Sequence, residues 1–188
     1  MNCLLRIVAV LTIVGMTISC NSYNAQECFK TAGDSVLYNI PVSEFSSIRV
    51  GQGIELVIAE GTEQSVTVQT GSNIKEYITA TVVDGELQLK NDVNCNWVRN
   101  YNNTTITVTT PVLTQIVTAT QWNVRSAGVL HFPQLSILSG IFEESSSATV
   151  NLEMDNQNLT IEDNQNLYCI ITGHVAVSYT HLTLPTKA

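Results

Sequence analysis

The chain has 188 residues, 16 acidic and 8 basic side chains, a formal charge of −8 and 44% hydrophobic residues. Acidity of that size repels nucleic acid and anionic lipid surfaces, which argues against a nucleic-acid partner. The length can hold one domain with a sizeable core. No stretch reaches the roughly 20 apolar residues of a membrane-spanning helix, which excludes a multi-span protein.

The first element in chain order is an export signal over residues 1–19. A single charge, Arg6, precedes an apolar run over residues 7–16, and small residues end it before Cys20. Thr17-Ile18-Ser19-Cys20 is similar to the lipoprotein-processing box, with Thr17 where leucine is usual; in that reading Cys20 becomes the lipidated first residue of the mature protein. The alternative is cleavage near Ala25 and plain secretion. Cys3 lies in the signal, which leaves Cys28, Cys95 and Cys169 in the folded part. In an oxidising compartment a Cys28 to Cys95 disulfide would tie the two ends of the N-terminal sheet, because one precedes the first strand and the other follows the last hairpin strand. Cys169, in Leu167-Tyr-Cys-Ile-Ile171, reads as a small core hydrophobe.

Residues 45–90 read as antiparallel β-hairpins. Ile54, Leu56 and Ile58 alternate with Glu55 and Val57, Glu60-Gly61-Thr62 turns the chain, and Val66 and Val68 repeat the alternation. Asp84-Gly85, between Val82-Val83 and Leu87-Gln88-Leu89, is a strong hairpin signal. Asn73-Ile-Lys-Glu-Tyr-Ile78 is the one helix-like piece, of about a turn and a half. Ile54, Leu56, Ile58, Val66, Val68, Leu87 and Leu89 are expected to share one core. This stretch, with Cys95-Asn-Trp-Val-Arg99 after it, resembles the head GIN domain, a family of adhesin-like proteins of bacterial envelopes with no assigned biochemical activity. The likeness weakens after Pro111, where this chain carries fewer glycines than the family's turns.

From Thr104 the pattern changes. Ile106-Thr-Val108, Pro111-Val-Leu113-Thr-Gln-Ile116, Pro133-Gln-Leu135-Ser-Ile137 and Asn158-Leu159-Thr-Ile161 set leucines 22 and 24 residues apart. Such spacing predicts a right-handed parallel β-helix or solenoid-like stack, with Leu113, Leu135 and Leu159 in equivalent places of a second core. The fold class expected is therefore all-β, hairpins followed by a stack of coils; the competing architecture is a β-sandwich.

Residues with chemical potential are few. His131 and His174 have no acid at a repeated offset, and Gly51-Gln-Gly53 leads into a strand rather than a helix. Glu143, Glu144 and Asp163, with Asp155 and Glu162 near, could converge from neighbouring coils as an acid pair or weak calcium site, the arrangement a glycan-active enzyme would need. Solvated acidic turns are the plainer reading. No catalytic, cofactor or metal residue is assigned. Trp97, Tyr101 and Trp122, in surroundings rich in asparagine (Asn94, Asn96, Asn100, Asn102, Asn103), could instead form a sugar-binding surface of aromatic faces and amides; core burial is the competing use.

Ser178-Tyr-Thr-His-Leu-Thr-Leu-Pro-Thr-Lys-Ala188 looks like translated sequencing adapter, so residues 20–177 are read as one C-terminally truncated domain and residues 178–188 as foreign. Together these features lead us to expect an exported, lipid-anchored, non-enzymatic envelope protein, an adhesin or ligand-binding scaffold without cofactor. Its expected partners are a surface glycan or an envelope protein, and the membrane through the lipid. The alternatives are a glycan-active β-helix enzyme and a structural component that docks a partner protein.

Overall fold

A computed structural model describes residues 32–93, 104–140, 148–164 and 167–182. Twelve strands follow one another among them: β1 Ser35–Ile40, β2 Ser47–Val50, β3 Glu55–Glu60, β4 Ser65–Gly71, β5 Ile78–Val83, β6 Glu86–Asn91, β7 Thr105–Thr110, β8 Gln115–Thr118, β9 Val124–Leu130, β10 Gln134–Ser139, β11 Thr149–Asp163 and β12 Tyr168–Leu182. One 3-10 turn, Lys75–Tyr77, fills the helix-like piece, and no α-helix occurs among the described residues. The strands form one mixed, mostly parallel sheet that curls nearly into a barrel, in the order β1-β4-β7-β3-β9-β11-β10-β8-β2-β6-β5, with β12 on the far side of β11.

Parallel pairing replaces most of the expected hairpins. Only β5 and β6 form one, across Asp84 (φ 51°) and Gly85 (φ 78°), where two positive φ values in succession make the tight turn whose twist matches the strands. β3 and β4, joined by the Glu60-Gly61-Thr62 turn, do not pair: β7 lies between them, parallel to β3 and antiparallel to β4. Leu56, Val57 and Ile58 are buried in succession, as in a strand covered on both faces. Alternation specifies a strand but not its neighbour, so the sequence could not separate the two arrangements.

Two inward rows carry the core. Leu87, Ile48, Ile116, Ile137 and Ile161 are successive register partners across β6, β2, β8, β10 and β11. On the other flank Ile106, Leu56, Val124, Val150 and Cys169 follow across β7, β3, β9, β11 and β12. Parallel strands lie about 4.8 Å apart, so like apolar residues stack at contact distance. β11 joins the flanks, its first half against β9 and its second against β10. Both flanks enclose one continuous core, which corrects the expectation of two. The β-sandwich alternative, with two separate sheets, is not what these residues form.

Leu135 and Leu159 are partners, as expected of equivalent places. Leu113 is not in their row. Two residues separate Leu113 from Ile116 but only one separates Leu135 from Ile137, and the pairing aligns the isoleucines. Leu113 is buried in the core just ahead of β8.

Residues 178–182 pair in parallel with β11, and Ser178 and Thr180 stand opposite the core residues Leu159 and Ile161. Polar residues there add little burial, and a strand added on an open edge is easily lost. A chain ending at Val177 is expected to unfold within a few degrees of the full chain. Loss of several kcal/mol, against a domain stability of ~5–15 kcal/mol, would make the tail integral to the fold.

Candidate functional site

Where the chain leaves one flank of the sheet for the other, corners stack in a row. At the corner after β2, the Gly53 N–H donates to Gln121 Oε1 at 2.9 Å and the Gly53 carbonyl accepts from Asn91 Nδ2 at 3.1 Å. One backbone unit is thus held by amides from the ends of β6 and β8. Next door, buried Thr120 donates its hydroxyl to the Ile54 carbonyl at 2.6 Å and accepts the Trp122 N–H at 3.1 Å. These bonds fix the backbone beneath Trp122, whose side chain is half-exposed. Residues 38 and 68 apart meet here, a proximity that no local spacing could reveal. Trp97 and Tyr101 lie outside the described residues, between β6 and β7 in the sequence. Cys20, Cys28 and Cys95 also lie outside them.

The acidic cluster does not assemble among the described residues. Glu143 and Glu144 lie outside these, and Asp163 is buried with its Oδ2 accepting the Leu167 N–H at 2.9 Å. Asp155 is exposed, and strand alternation turns Glu162 away from Asp163. Among the described residues no three acids, histidines or cysteines come together as metal ligands. Asp163 instead ends a polar stretch of an inward row, in register with Ser139 and, beyond it, Thr118. Thr118 and Ser139 are buried, and neither hydroxyl has a hydrogen-bond partner.

Cys169 is free and half-buried against the core. Burial first, and then the Asp163 carboxylate, push its thiol up to about 11. A thiol so raised is a poor nucleophile at neutral pH. A pKa higher in the folded than in the unfolded chain means that stability from this group is complete below about pH 9 and lost as pH rises towards 11. Mass-mapped iodoacetamide labelling of Cys169 in the native chain is expected to stay slow at pH 8 and accelerate up to about pH 11. Fast labelling at pH 7 would contradict the environment described.

The sequence offers no acid partner for His131, but the fold brings one. His131 Nδ1 lies 3.0 Å from Glu60 Oε2, and the His131 main-chain N–H donates to the same oxygen at 2.6 Å. This exposed pair pins the turn before β10. Beside it, Pro111, Val112, Leu113, Phe132 and Pro133, with Thr114 and Gln134, line a mostly apolar cleft of about 240 Å³. Both of its walls are proline-containing turns. His174 is exposed on β12.

Known structures share this architecture. A crystal structure of a "putative adhesin" from Bacteroides fragilis NCTC 9343 superposes with a TM-score of 0.65 at 21% identity, covering 77% of this chain and 65% of that one. A "putative adhesin" from Parabacteroides merdae gives 0.52 at 10% identity, over 72% of this chain and 64% of that one. A "putative lipid binding protein" from Parabacteroides distasonis gives 0.53 at 13% identity, over 74% and 60%. The chain thus spans less than two thirds of the length of each. No curated protein sequence matches it. The family profile described as "Putative auto-transporter adhesin, head GIN domain" matches residues 44–179, most of the chain, and with them every strand from β2 to β11; the chain belongs to the head GIN family.

Proposed function

We propose that the chain is an exported envelope protein, held to the membrane by a lipid on Cys20, whose stacked strands present a ligand-binding edge without catalysing a reaction. Its parallel ladders are read as coils of a right-handed β-helix, and the row of corners carrying Trp122 as the edge that meets a surface glycan or an envelope protein, with Trp97 and Tyr101 the further aromatic residues expected to contribute to it. The observation that carries this reading is the half-exposed Trp122 on a corner fixed by Thr120 and Gln121. An aromatic side chain, with only two rotatable bonds and here on a fixed backbone, costs little entropy when a sugar or apolar group stacks on it. The adhesin description of the family agrees with that use, and the acidic charge keeps the scaffold off nucleic acid and anionic lipid. Cleavage and lipidation would be read by mass spectrometry of the exported protein and of its Cys20→Ala variant.

An array of bacterial and host glycans probed with the labelled protein tests the edge. Trp122→Ala is expected to weaken the captured glycan about tenfold, since an aromatic contact contributes roughly 0.5–1.5 kcal/mol beyond its burial. Equal binding by wild type and variant would remove Trp122 from the site.

The cleft between Pro111 and Pro133 favours a second reading, an apolar ligand. It is smaller than the ~300–1,000 Å³ usual for a drug-sized molecule, so it would take part of an acyl chain. The Parabacteroides distasonis structure described as lipid-binding lends the idea its only comparative support. Dodecanoate titrated into the protein should bind the wild type and not Val112→Asp; no binding to either would end this reading.

A further inference from the structure

One inward row departs from the apolar pattern of the core. Leu87, Ile48, Ile116, Ile137 and Ile161 form a layer across β6, β2, β8, β10 and β11. Two residues further along the same strands, and so facing the same way, stand Leu89, Val50, Thr118, Ser139 and Asp163. The first two continue the apolar core. The last three put two hydroxyls and a carboxyl into it, on β8, β10 and β11, each of which has a paired neighbour on either side. Thr118 is 1% exposed, Ser139 0% and Asp163 5%.

A buried hydroxyl that makes no bond loses its solvation in water and gains nothing in return, so cores keep such groups where something satisfies them. Asp163 Oδ2 accepts the Leu167 N–H at 2.9 Å. Thr118 Oγ1 and Ser139 Oγ have no partner among the described residues. They are placed wrongly to satisfy each other: register partners on neighbouring strands stand about 4.8 Å apart, well beyond a direct hydroxyl bond of about 2.8 Å. One water between them fits that step, because two bonds of about 2.8 Å meeting at a near-tetrahedral oxygen span about 4.6 Å. The same step separates Ser139 from Asp163. A buried water needs room as well as polar partners. The serine at the centre of the row is far smaller than Ile137, which occupies the same strand one layer away.

We propose that Thr118, Ser139 and Asp163 form an internal water-binding site, in which one ordered water bridges Thr118 to Ser139 and a second bridges Ser139 to Asp163. The donor set selects water over a metal: one carboxyl and two hydroxyls fall short of the about six or more oxygens that a hard cation such as calcium takes. The bridges also fix register. A two-residue slip of β10 along β8 would keep its apolar face inward but set Ser139 against Ile116, where its hydroxyl meets no polar group.

Magnetic relaxation dispersion of the water oxygen signal, which detects waters held longer than the protein tumbles, tests this on the full chain together with thermal unfolding. Thr118→Val keeps the side-chain shape and removes the hydroxyl; it and Ser139→Ala should each lower the dispersion amplitude and lower Tm by roughly 3–10 °C. Thr118→Ser, which retains the hydroxyl, should keep the wild-type amplitude. Thr160→Ala, on the exposed face of β11, should match wild type in both measurements. If Thr118→Val does not fold, Ser139→Ala and Thr118→Ser decide. A Tm unchanged or raised by Thr118→Val would mean that its hydroxyl is bonded to nothing and would overturn the proposal. So would equal amplitudes in wild type and Ser139→Ala, a Thr118→Ser amplitude below that of wild type, or a crystal structure in which the row is dry or holds a metal ion.

Discussion

Replacing Ile137 with alanine is expected to destabilise the protein by about 2–5 kcal/mol and lower Tm by roughly 5–15 °C. Ile137 is fully buried and stands in register between Ile116 and Ile161, at the middle of one inward row. Removing its branched chain takes contact surface from two neighbours at once. A parallel stack cannot collapse around the gap, because the strand spacing on either side is fixed by backbone hydrogen bonds. Thr160, next to Ile161 but exposed, is the control, and Thr160→Ala should change stability by no more than about 0.5 kcal/mol. Urea or thermal unfolding of the three proteins measures both. A loss below 1 kcal/mol at Ile137 would mean that this row does not form the core.

Phe132→Ala should cost about 3–5 kcal/mol, among the largest single-residue effects in the chain. Phe132 is 2% exposed and is the largest side chain buried this completely among the described residues. It sits between His131, which pairs with Glu60, and Pro133, and lines the cleft together with Pro111 and Val112. Its loss would deepen the cleft while loosening the turn that delivers β10 to the sheet. Unfolding free energy measures the first-order effect. If an acyl chain does occupy the cleft, dodecanoate should recover part of the lost stability, through preferential binding to the folded state.

The strands themselves were legible, since Ile54, Leu56, Ile58, Val66, Val68, Leu87 and Leu89 alternate and are all buried. Their partners were not. Val57, at a position that a one-sided hairpin would give to water, was the available hint that β3 is covered on both faces. The coil spacing was visible in the leucines, but the extra residue between Leu113 and Ile116 shifts the register by one, and only the pairing reveals which residues stack. At the candidate edge, Trp122 could be singled out as an aromatic in polar surroundings. Asn91 and Gln121, which converge on Gly53, could not, because amides are common and their meeting depends on two strands that pair far from each other in sequence. Glu60 and His131 were likewise separate until β3 and β9 became neighbours. Of the acids Glu143, Glu144 and Asp163, the first two lie outside the described residues, and Asp163 falls on the inward face of its strand.

The central claim is that sequence-distant strands stack in parallel around one core, and methyl NOESY on a sample labelled at isoleucine, leucine and valine methyls tests it most directly. The account predicts a chain of cross-peaks linking Leu87, Ile48, Ile116, Ile137 and Ile161, and a second linking Ile106, Leu56, Val124 and Val150. It also predicts contacts of Val66 and Val68 with Val108 and Ile106 across β7. Cross-peaks that instead pair β3 directly with β4, Ile58 with Val66 as in a hairpin, with no Ile48 to Ile116 contact, would contradict it.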